Sequence, residues 1–386
     1  MDLLEYQGKE LFARHGLPVP QGSHAATAED AVTASDNLGY PVAVKAQVLI
    51  GGRGKAGGIK IAKDSAEAHE YAGEIIGMDI VGPHGEGPFK VHELWVEVGS
   101  DIESEFYASV ILDRSAKKLM VMLSRMGGMD VEAIAASDPE ALVKQHVDPI
   151  EGLSAVEAEQ IVAQAKIPEE VAGQVAQVLI KLVEVAQAED ATLIEVNPLI
   201  VNADGEVVLL DAKVTIDGNA LFRHPELGEL PESADQDPQE RMAKEKGLTY
   251  VSLDGNIGIL GNGAGLCMST LDVVAQAGGR PANFLDAGGG SKAEAIIDAL
   301  EVITSNPEVS AILFNIFGGI TRCDEVARGI IEATNKIGLE LPLVVRLDGT
   351  NSEEGLALLA EAGLDNLHHE ATMLGAAKKV VELAGN

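Results

Sequence analysis

The C-terminal third of the sequence alternates short apolar runs with stretches of helical spacing, five times in succession. A strand–helix unit repeated in this way folds into a parallel sheet with helices on both faces, an α/β architecture. Ligands of such sheets bind at the carboxyl ends of the strands. The predicted strands cover residues 257–260, 282–285, 309–316, 341–347 and 364–368. The predicted helices start near Gly265, Ser291, Thr321, Ser352 and Thr372.

Three glycine-rich turns follow the first three predicted strands, with the sequences GILGNGAGL, NFLDAGGGS and FNIFGGITRCDE. In each turn, glycines leave backbone N–H groups accessible at the start of a helix, where the helix dipole favours an anion. The first turn reads GxGxG, one residue short of the dinucleotide fingerprint GxGxxG, so it indicates NAD only weakly. We expect an anionic ligand at this edge of the sheet, and close backbone packing is the alternative.

The N-terminal part concentrates basic residues among glycines in the loop GGRGKAGG, directly after the apolar strand PVAVKAQV. Period-two alternation puts Lys45 and Gln47 of that strand on one face. Because the formal net charge is −33, a phosphate ligand requires such a local excess of positive charge. The loop lacks the GxxxxGK[ST] spacing of a P-loop, but its backbone N–H groups and Arg53 can still contact phosphate oxygens. A solvated basic loop is the alternative.

Two apolar strands, ATLIEVNPLIV and EVVLLDAKVTI, are joined by NADG and predict a β-hairpin. With Gly205 in the left-handed conformation, Asn202 pairs with Glu206, and Asn197 lies directly opposite Asp211. An amide oxygen and a carboxylate at one point suit magnesium beside a nucleotide. An exposed polar hairpin edge is the alternative. The segment WVEVGSDIESEF places hydrogen-bond acceptors at the end of another strand. These acceptors, Glu97, Ser100 and Glu105, suit the amino group of a base or ribose hydroxyls.

Helical spacing predicts a first helix over residues 4–15 and two helices within residues 154–188, the second starting at Pro168. Residues 224–247 are acidic, contain prolines and lack a strand pattern, so we interpret them as a connector. The predicted domains are therefore residues 1–235 and residues 248–386.

Composition excludes several classes of protein. Hydrophobic residues make up 46% of the chain, which argues against disorder, and no uncharged apolar stretch has the length of a membrane span. The acidic balance and an aromatic content of 3% argue against nucleic-acid binding. The charged N-terminus does not resemble a signal peptide, and Cys267 and Cys323 are expected to be buried thiols. We therefore expect a soluble, cytoplasmic protein.

Several long motifs, in this order, resemble the β subunits of succinyl-CoA synthetase (succinate–CoA ligase, ADP-forming type) over essentially the whole chain. The motifs are EYQGKELFARHGLPVP, VKAQVLIGGRGKAGG, LIEVNPL, LDAKVTIDGNALFR, LDGNIGILGNGAGL, PANFLDAGGG and NIFGGITRCD. The resemblance implies an ATP-grasp fold in the N-terminal domain, followed by a flavodoxin-like, parallel-sheet CoA-ligase domain.

The resemblance also implies roles for individual residues. The implied nucleotide contacts are Lys45, Gly52, Arg53, Gly54, Glu97, Ser100 and Glu105. Asn197 and Asp211 would bind Mg²⁺, and Glu195 would support a phosphorylated histidine near the nucleotide. The implied substrate site comprises Asn262, Gly319, Ile320 and Thr321.

In that family the phosphoryl-carrying histidine belongs to a separate α subunit, in a GHAGA-like loop, and no such string occurs here. The implied reaction passes phosphoryl between ATP (or GTP) and that histidine, then to succinate, with CoA displacing phosphate in the tricarboxylic acid cycle. Three alternatives stay open from the residues alone: a subunit of a malate– or citrate–CoA ligase, a nucleotide sensor without turnover, and an NAD-dependent dehydrogenase.

Overall fold

The structure is a computed structural model that describes residues 1–83, 85, 87–129, 131, 138–230, 237–288 and 293–385. The chain divides into two compact units, Met1–Asp235 and Gln236–Asn386. We refer to them as the first and the second unit.

The first unit contains thirteen strands in its described residues. The strands are β1 (Asp2–Leu3), β2 (Gly22–Ala25), β3 (Val42–Ala46), β4 (Ile59–Ala62), β5 (Asp79–Ile80), β6 (Phe89–Lys90), β7 (Leu94–Val98), β8 (Ile102–Asp113), β9 (Lys118–Ser124), β10 (Leu142–His146), β11 (Ala191–Asn202), β12 (Val207–Leu209) and β13 (Lys213–Ile216). The helices are α1 (Glu5–Arg14), α2 (Ala28–Leu38), α3 (Ser65–Ile75), α4 (Ala155–Gln164), α5 (Glu169–Ala188) and α6 (Pro225–Gly228), with 3₁₀ turns at Pro139–Ala141 and Gly218–Arg223.

Two antiparallel sheets organise the first unit. The smaller has the order β2-β7-β3-β4 and packs with α2 and α3 around its own apolar core. The larger has the order β1-β13-β11-β8-β9-β10, with β12 also paired to β11. Among the described residues, α5 has the length and composition of a membrane span, and half of it is buried. Its Val175, Leu179 and Leu182 lie in the core of the larger sheet, so α5 is a core helix here.

The hairpin register is confirmed. Asn202 donates its backbone N–H to the carbonyl of Glu206 over 3.0 Å, and Gly205 has a φ of +76°. Leu199 pairs with Leu209 on one side, and Glu195 pairs with Lys213 on the other. The two-residue steps between these pairs put Asn197 opposite Asp211, as the sequence predicted.

The second unit is a mixed sheet covered by helices on both faces. Its strands are β14 (Thr249–Ser252), β15 (Ile257–Gly261), β16 (Asn283–Asp286), β17 (Ala311–Gly318), β18 (Leu343–Gly349) and β19 (Leu367–His369). Its helices are α7 (Pro238–Glu245), α8 (Ala264–Gln276), α9 (Ala293–Thr304), α10 (Cys323–Ile337), α11 (Ser352–Ala362) and α12 (Met373–Leu383).

The five predicted strands pair in parallel in the order β16-β15-β17-β18-β19. This is the flavodoxin order 2-1-3-4-5, so the prediction for this half of the chain is confirmed. Helices α9 and α10 pack on one face of the sheet, and α8 and α12 pack on the other. The carboxyl ends of β15 and β17 are therefore neighbours at one edge.

The boundary between the two units lies within residues 224–247, as the connector interpretation predicts, but three elements in and after this region were missed. Residues 224–247 contain α6 and α7, and β14 follows as an antiparallel strand on β16. The carboxylate of Asp237 accepts the backbone N–H groups of Gln239 and Glu240 and so caps α7. Of the residues of α7, only Ala243 is buried. A helix with so small an apolar side has weak hydrophobic periodicity, although its Asp-Pro start is a capping signal.

Candidate functional site

Two adjoining cavities lie in the first unit, of about 350 Å³ and about 570 Å³. We call them the smaller and the larger cavity. Gly52, Arg53, Asn197 and Asp211 line both, so these four residues form a common wall. The smaller cavity brings together every residue for which the sequence implied a nucleotide or metal contact. These are Lys45, Gly52, Arg53, Gly54, Glu97, Ser100, Glu105, Asn197 and Asp211.

The lining of the smaller cavity is partly apolar and partly charged. Its apolar residues include Ile59, Ile61, Ile102, Pro198 and Leu210. Ile61 and Ile102 are 51% and 46% exposed, so they present apolar surface to a ligand. Such surface suits a flat aromatic base, and Ser100 and Glu105 of the same lining offer acceptors for its polar edge. Lys45 and Arg53, also in the lining, suit phosphate.

The amide of Asn197 is held by two hydrogen bonds to the loop that follows β9. Its Oδ1 accepts the backbone N–H of Gly128 over 2.8 Å, and its Nδ2 donates to the carbonyl of Met129 over 2.9 Å. Asp211 Oδ1 accepts from Arg53 over 2.9 Å and from the N–H of Ala212 over 2.8 Å. The amide oxygen of Asn197 still has a second lone pair, and Asp211 still has its second carboxylate oxygen. These two oxygen ligands fit a hard cation such as Mg²⁺.

Six charged side chains form what we call the ionic cluster: Glu5, Lys9, Lys45, Arg53, Glu97 and Asp211. Glu5 is the common acceptor, at 2.8 Å from Lys9, 2.9 Å from Lys45 and 2.5 Å from Arg53. Glu97 contacts Lys9 and lies 2.5 Å from Lys45. Since three carboxylates meet three cations, the cluster is neutral as a whole.

The ion pairs of the cluster oppose the effect of burial on the pKa values of Glu5, Lys9 and Lys45. Burial alone would raise the pKa of Glu5, but Arg53, Lys45 and Lys9 together hold it well below the ordinary value. Burial would likewise lower the pKa of Lys45, yet Glu5, Glu97 and Asp211 raise it above its usual range. For Lys9 burial dominates, and its pKa is lowered despite the neighbouring carboxylates. Lys45 and Arg53 are therefore permanent cations at neutral pH.

Glu97 is engaged inside the protein. It is fully buried, and its carboxylate accepts the indole N–H of Trp95 over 2.8 Å in addition to the two lysines. The structure therefore shows Glu97 as a partner of Lys45. Direct contact of Glu97 with a nucleotide stays a prediction.

Glu195 lines the larger cavity and not the smaller one. The hydroxyl of Tyr107 lies 3.4 Å from Glu195 Oε2, and Lys213, its partner in the β11–β13 register, lines the same cavity. Asn197 and Asp211 line this cavity as well as the smaller one.

The four substrate residues implied by the sequence lie together at the carboxyl edge of the sheet in the second unit. Asn262 exchanges two hydrogen bonds with the backbone of Phe317, of 2.9 and 2.8 Å, and so ties the ends of β15 and β17. In the turn after β17, the carbonyl of Gly319 accepts from Thr350 over 3.1 Å. The Ile320 side chain is 87% exposed and that of Thr321 is buried.

The chain's own carboxylates lie at two of the glycine turns. Asp286 Oδ1 accepts the backbone N–H of Gly263, at the start of α8, over 2.6 Å and that of Gly288 over 2.8 Å. At the start of α10, Asp324 is bound by Arg322 and Arg328. Residues 289–291 of the second predicted turn lie outside the described residues. Asp286 thus takes the backbone N–H of Gly263 in the first turn, and an anionic ligand at this edge of the sheet stays a prediction.

Sequence reasoning missed Glu5, Lys9 and Trp95. Both charged residues are on α1, four residues apart and on the same side as the buried Phe12. A Glu–Lys pair on the apolar side of a helix is the signal that could have identified them, since charged residues are rarely buried without partners.

Comparisons with known proteins place these observations in a family. The model of the ATP-grasp domain matches residues 2–201, and the CoA-ligase model matches residues 260–380. The succinate–CoA ligase [ADP-forming] subunit beta of Rubrobacter xylanophilus is 53% identical, over 100% of this chain and 99% of the relative. The same subunit of Persephonella marina is 46% identical over the same shares. The chain belongs to this β-subunit family.

Solved structures agree on the fold. ATP citrate lyase from Methanothrix soehngenii, in complex with citrate and coenzyme A, has a TM-score of 0.77 and covers 99% of this chain and 98% of its own. At 19% identity this likeness concerns the fold alone. The predicted order, an ATP-grasp fold followed by a CoA-ligase fold, is thereby confirmed.

Proposed function

We propose that this chain is the nucleotide-binding β subunit of a succinate–CoA ligase that forms ADP from ATP. The γ-phosphoryl passes from ATP to a histidine of a separate α subunit, then from the histidine to a carboxylate oxygen of succinate. The CoA thiol then attacks that carbonyl carbon and releases phosphate. The observation that carries the proposal is that all nine residues implied to bind nucleotide or metal line one cavity of the first unit.

The basic residues serve positioning and charge neutralisation rather than proton transfer. Lys45 and Arg53 remain cationic at neutral pH, since the pKa of each is raised by Glu5 and Asp211 against the opposing effect of burial. The glycines at 52 and 54 let backbone N–H groups approach phosphate oxygens. Phosphoryl transfer depends mostly on such alignment and charge stabilisation, so a strong base is not required.

Asn197 and Asp211 would hold Mg²⁺, which neutralises charge on the phosphates when bound. Asp211 contacts Arg53 in this structure, so Arg53 has to share or release the carboxylate when a cation arrives. Asn197 keeps its amide orientation through the two backbone contacts of the loop after β9.

The remaining roles are part of the same proposal. Glu195, across the common wall, would support the histidine of the α subunit. Asn262 and the turn of Gly319, Ile320 and Thr321 would receive the substrate and the phosphorylated loop. Two buried thiols fit a reducing compartment, so we propose that the protein is cytoplasmic.

The test mixes the purified chain, its α partner, Mg²⁺ and ATP labelled at the γ-phosphate. We expect acid-labile label on the partner, and its loss to succinate only when succinate is added. Label that stays on ATP would contradict the proposal. Malate and citrate assayed beside succinate identify the acid, and GDP beside ADP identifies the nucleotide.

A further inference from the structure

We propose that Glu5 and Lys9 of α1 are positioning residues for phosphoryl transfer: together they aim Lys45 and Arg53 at the phosphates and set the net charge of the site. This inference rests on the proposed nucleotide site. It assigns a role to a helix for which neither the motifs nor the comparisons identify one.

Glu5 connects two cations that come from different elements. Lys45 is on β3 and Arg53 is in the loop after it, and both donate to the same carboxylate, over 2.9 Å and 2.5 Å. Only 3% of Glu5 is exposed, so water does not replace these contacts. Because both cations line the smaller cavity, the position of Glu5 decides where their charges lie when a polyphosphate enters.

The positive charge of Lys9 balances one of the three carboxylates of the ionic cluster. Lys9 is 1% exposed, lies 2.8 Å from Glu5 and also contacts Glu97. If Lys9 were absent, three carboxylates would share two cations. Glu5, Glu97 and Asp211 would then face only Lys45 and Arg53, and the cluster would carry one net negative charge. The carboxylates would then attract Lys45 and Arg53 more strongly than in the wild type.

Stability alone gives little reason for such a cluster. Five of the six charges are buried and lose their hydration, and apolar side chains of similar volume often stabilise a protein equally well. A requirement that Lys45 and Arg53 stay charged and fixed before the nucleotide binds does account for the added carboxylate and the added lysine. Preorganised charge of this kind acts on the transition state more than on ground-state binding.

The two residues are expected to have opposite effects on affinity. Glu5→Gln removes a negative charge, so Mg-ADP should bind at least as tightly as to the wild type. Lys9→Met removes a positive charge, so Mg-ADP should bind roughly tenfold more weakly. Both changes should slow single-turnover transfer of phosphoryl to the α subunit by at least about tenfold, because Lys45 and Arg53 lose their fixed positions.

The experiment measures the Kd for Mg-ADP by calorimetry on the full chain and the single-turnover transfer rate with the α partner. The matched control is Glu184→Gln, which removes a carboxylate that pairs with Lys181 on the surface of α5; its Kd and rate should match the wild type. Affinities that shift in the same direction for Glu5→Gln and Lys9→Met, or transfer rates within twofold of the wild type, would overturn the inference.

Lys9→Met leaves two buried carboxylates facing each other and is the variant more prone to misfold. If it does not fold, Glu5→Gln decides alone: wild-type affinity with slowed transfer supports the inference, and wild-type transfer overturns it. The double variant restores neutrality, so its Kd should return toward the wild type while its transfer stays slow. Failure of the wild type itself to bind Mg-ADP would instead overturn the proposed function.

Discussion

Lys45 and Arg53, the candidate cations of the first unit, are held by side-chain charges, whereas Asn262 of the second unit is held by backbone groups. In the first unit, Lys45 and Arg53 take their positions from Glu5, Glu97 and Asp211 through ion pairs of 2.5 to 2.9 Å. In the second unit, Asn262 is fixed to the backbone of Phe317, and Gly318 contacts Thr350 through a 2.9 Å backbone hydrogen bond.

This difference teaches how each region should respond to substitution. A site built from paired charges should change its ligand affinity when one charge is removed, because each remaining ion loses a partner. A site built from closely packed backbone should be sensitive to a single added carbon atom, because the backbone has no room to move aside.

Asp211→Ala should weaken Mg-nucleotide binding by at least about 100-fold, since it removes one of the two ligands that we propose for the cation. It should not weaken nucleotide binding measured in EDTA, because Arg53 is released from its carboxylate. Isothermal calorimetry with and without Mg²⁺ separates the two effects. Asp204→Ala, in the exposed loop of the same hairpin, is the control and should bind normally. Equal affinities for Asp211→Ala and wild type in Mg²⁺ would refute the magnesium assignment.

Gly349→Ala should destabilise the second unit by about 3 kcal/mol. Gly349 has a φ of +92°, and an added Cβ would lie 2.2 Å from the carbonyl oxygen of Gly318. Denaturant unfolding measures the loss, and nucleotide binding by the first unit should stay intact. Gly338→Ala is the control: Gly338 also has a positive φ, +66°, but its Cβ would meet no described atom within 4 Å. It should cost only about 1 kcal/mol, and equal losses would show that the close approach is unimportant.

Asp324→Asn should destabilise the second unit by about 2 kcal/mol at neutral pH, because it weakens charged hydrogen bonds to a buried group. Hydrogen bonds from Arg322 hold the pKa of Asp324 well below its ordinary value of 3.8. A depressed carboxyl pKa stabilises the fold above the unfolded value and loses this effect as the pH falls through the folded value. The difference from wild type should therefore be constant above about pH 5 and shrink below about pH 4.

Urea unfolding between pH 3 and 7 measures this dependence. Glu325→Gln is the control, since Glu325 is in the same first turn but is 43% exposed, and its difference from wild type should be small throughout. A difference for Asp324→Asn that grows as the pH falls would contradict the assignment.

The smallest expected effect concerns Cys267. Burial raises the pKa of its thiol to about 12, so at pH 8 the native protein should react with iodoacetamide far more slowly than the urea-unfolded chain. Mass spectrometry after timed quenching counts the modified thiols. Rapid native labelling at Cys267 would show that the packing at the start of α8 opens readily.

Much of the fold could be predicted from local sequence patterns. The five βα repeats of the second unit, the two helices within residues 154–188 and the hairpin around Gly205 all depend on periodicity or turn chemistry within a few residues. The polar positions at Asn197 and Asp211 followed from the hairpin register, because a two-residue period and one turn determine which side chains lie opposite each other. Helix α7 and strand β14 were missed because their apolar periodicity is weak, and the predictions depended on that periodicity.

The partners of buried charges were decided only by the tertiary structure. Glu5 meets Lys45 across 40 residues of sequence, and Lys9 meets Glu97 across 88. Likewise, Asp286 accepts the backbone N–H of Gly263 at the start of α8, 23 residues away. The sequence by itself determined which segments form helices and strands and which residues bear charge. Which charges neutralise one another depends on distances between segments, and those distances exist only once the cores have packed.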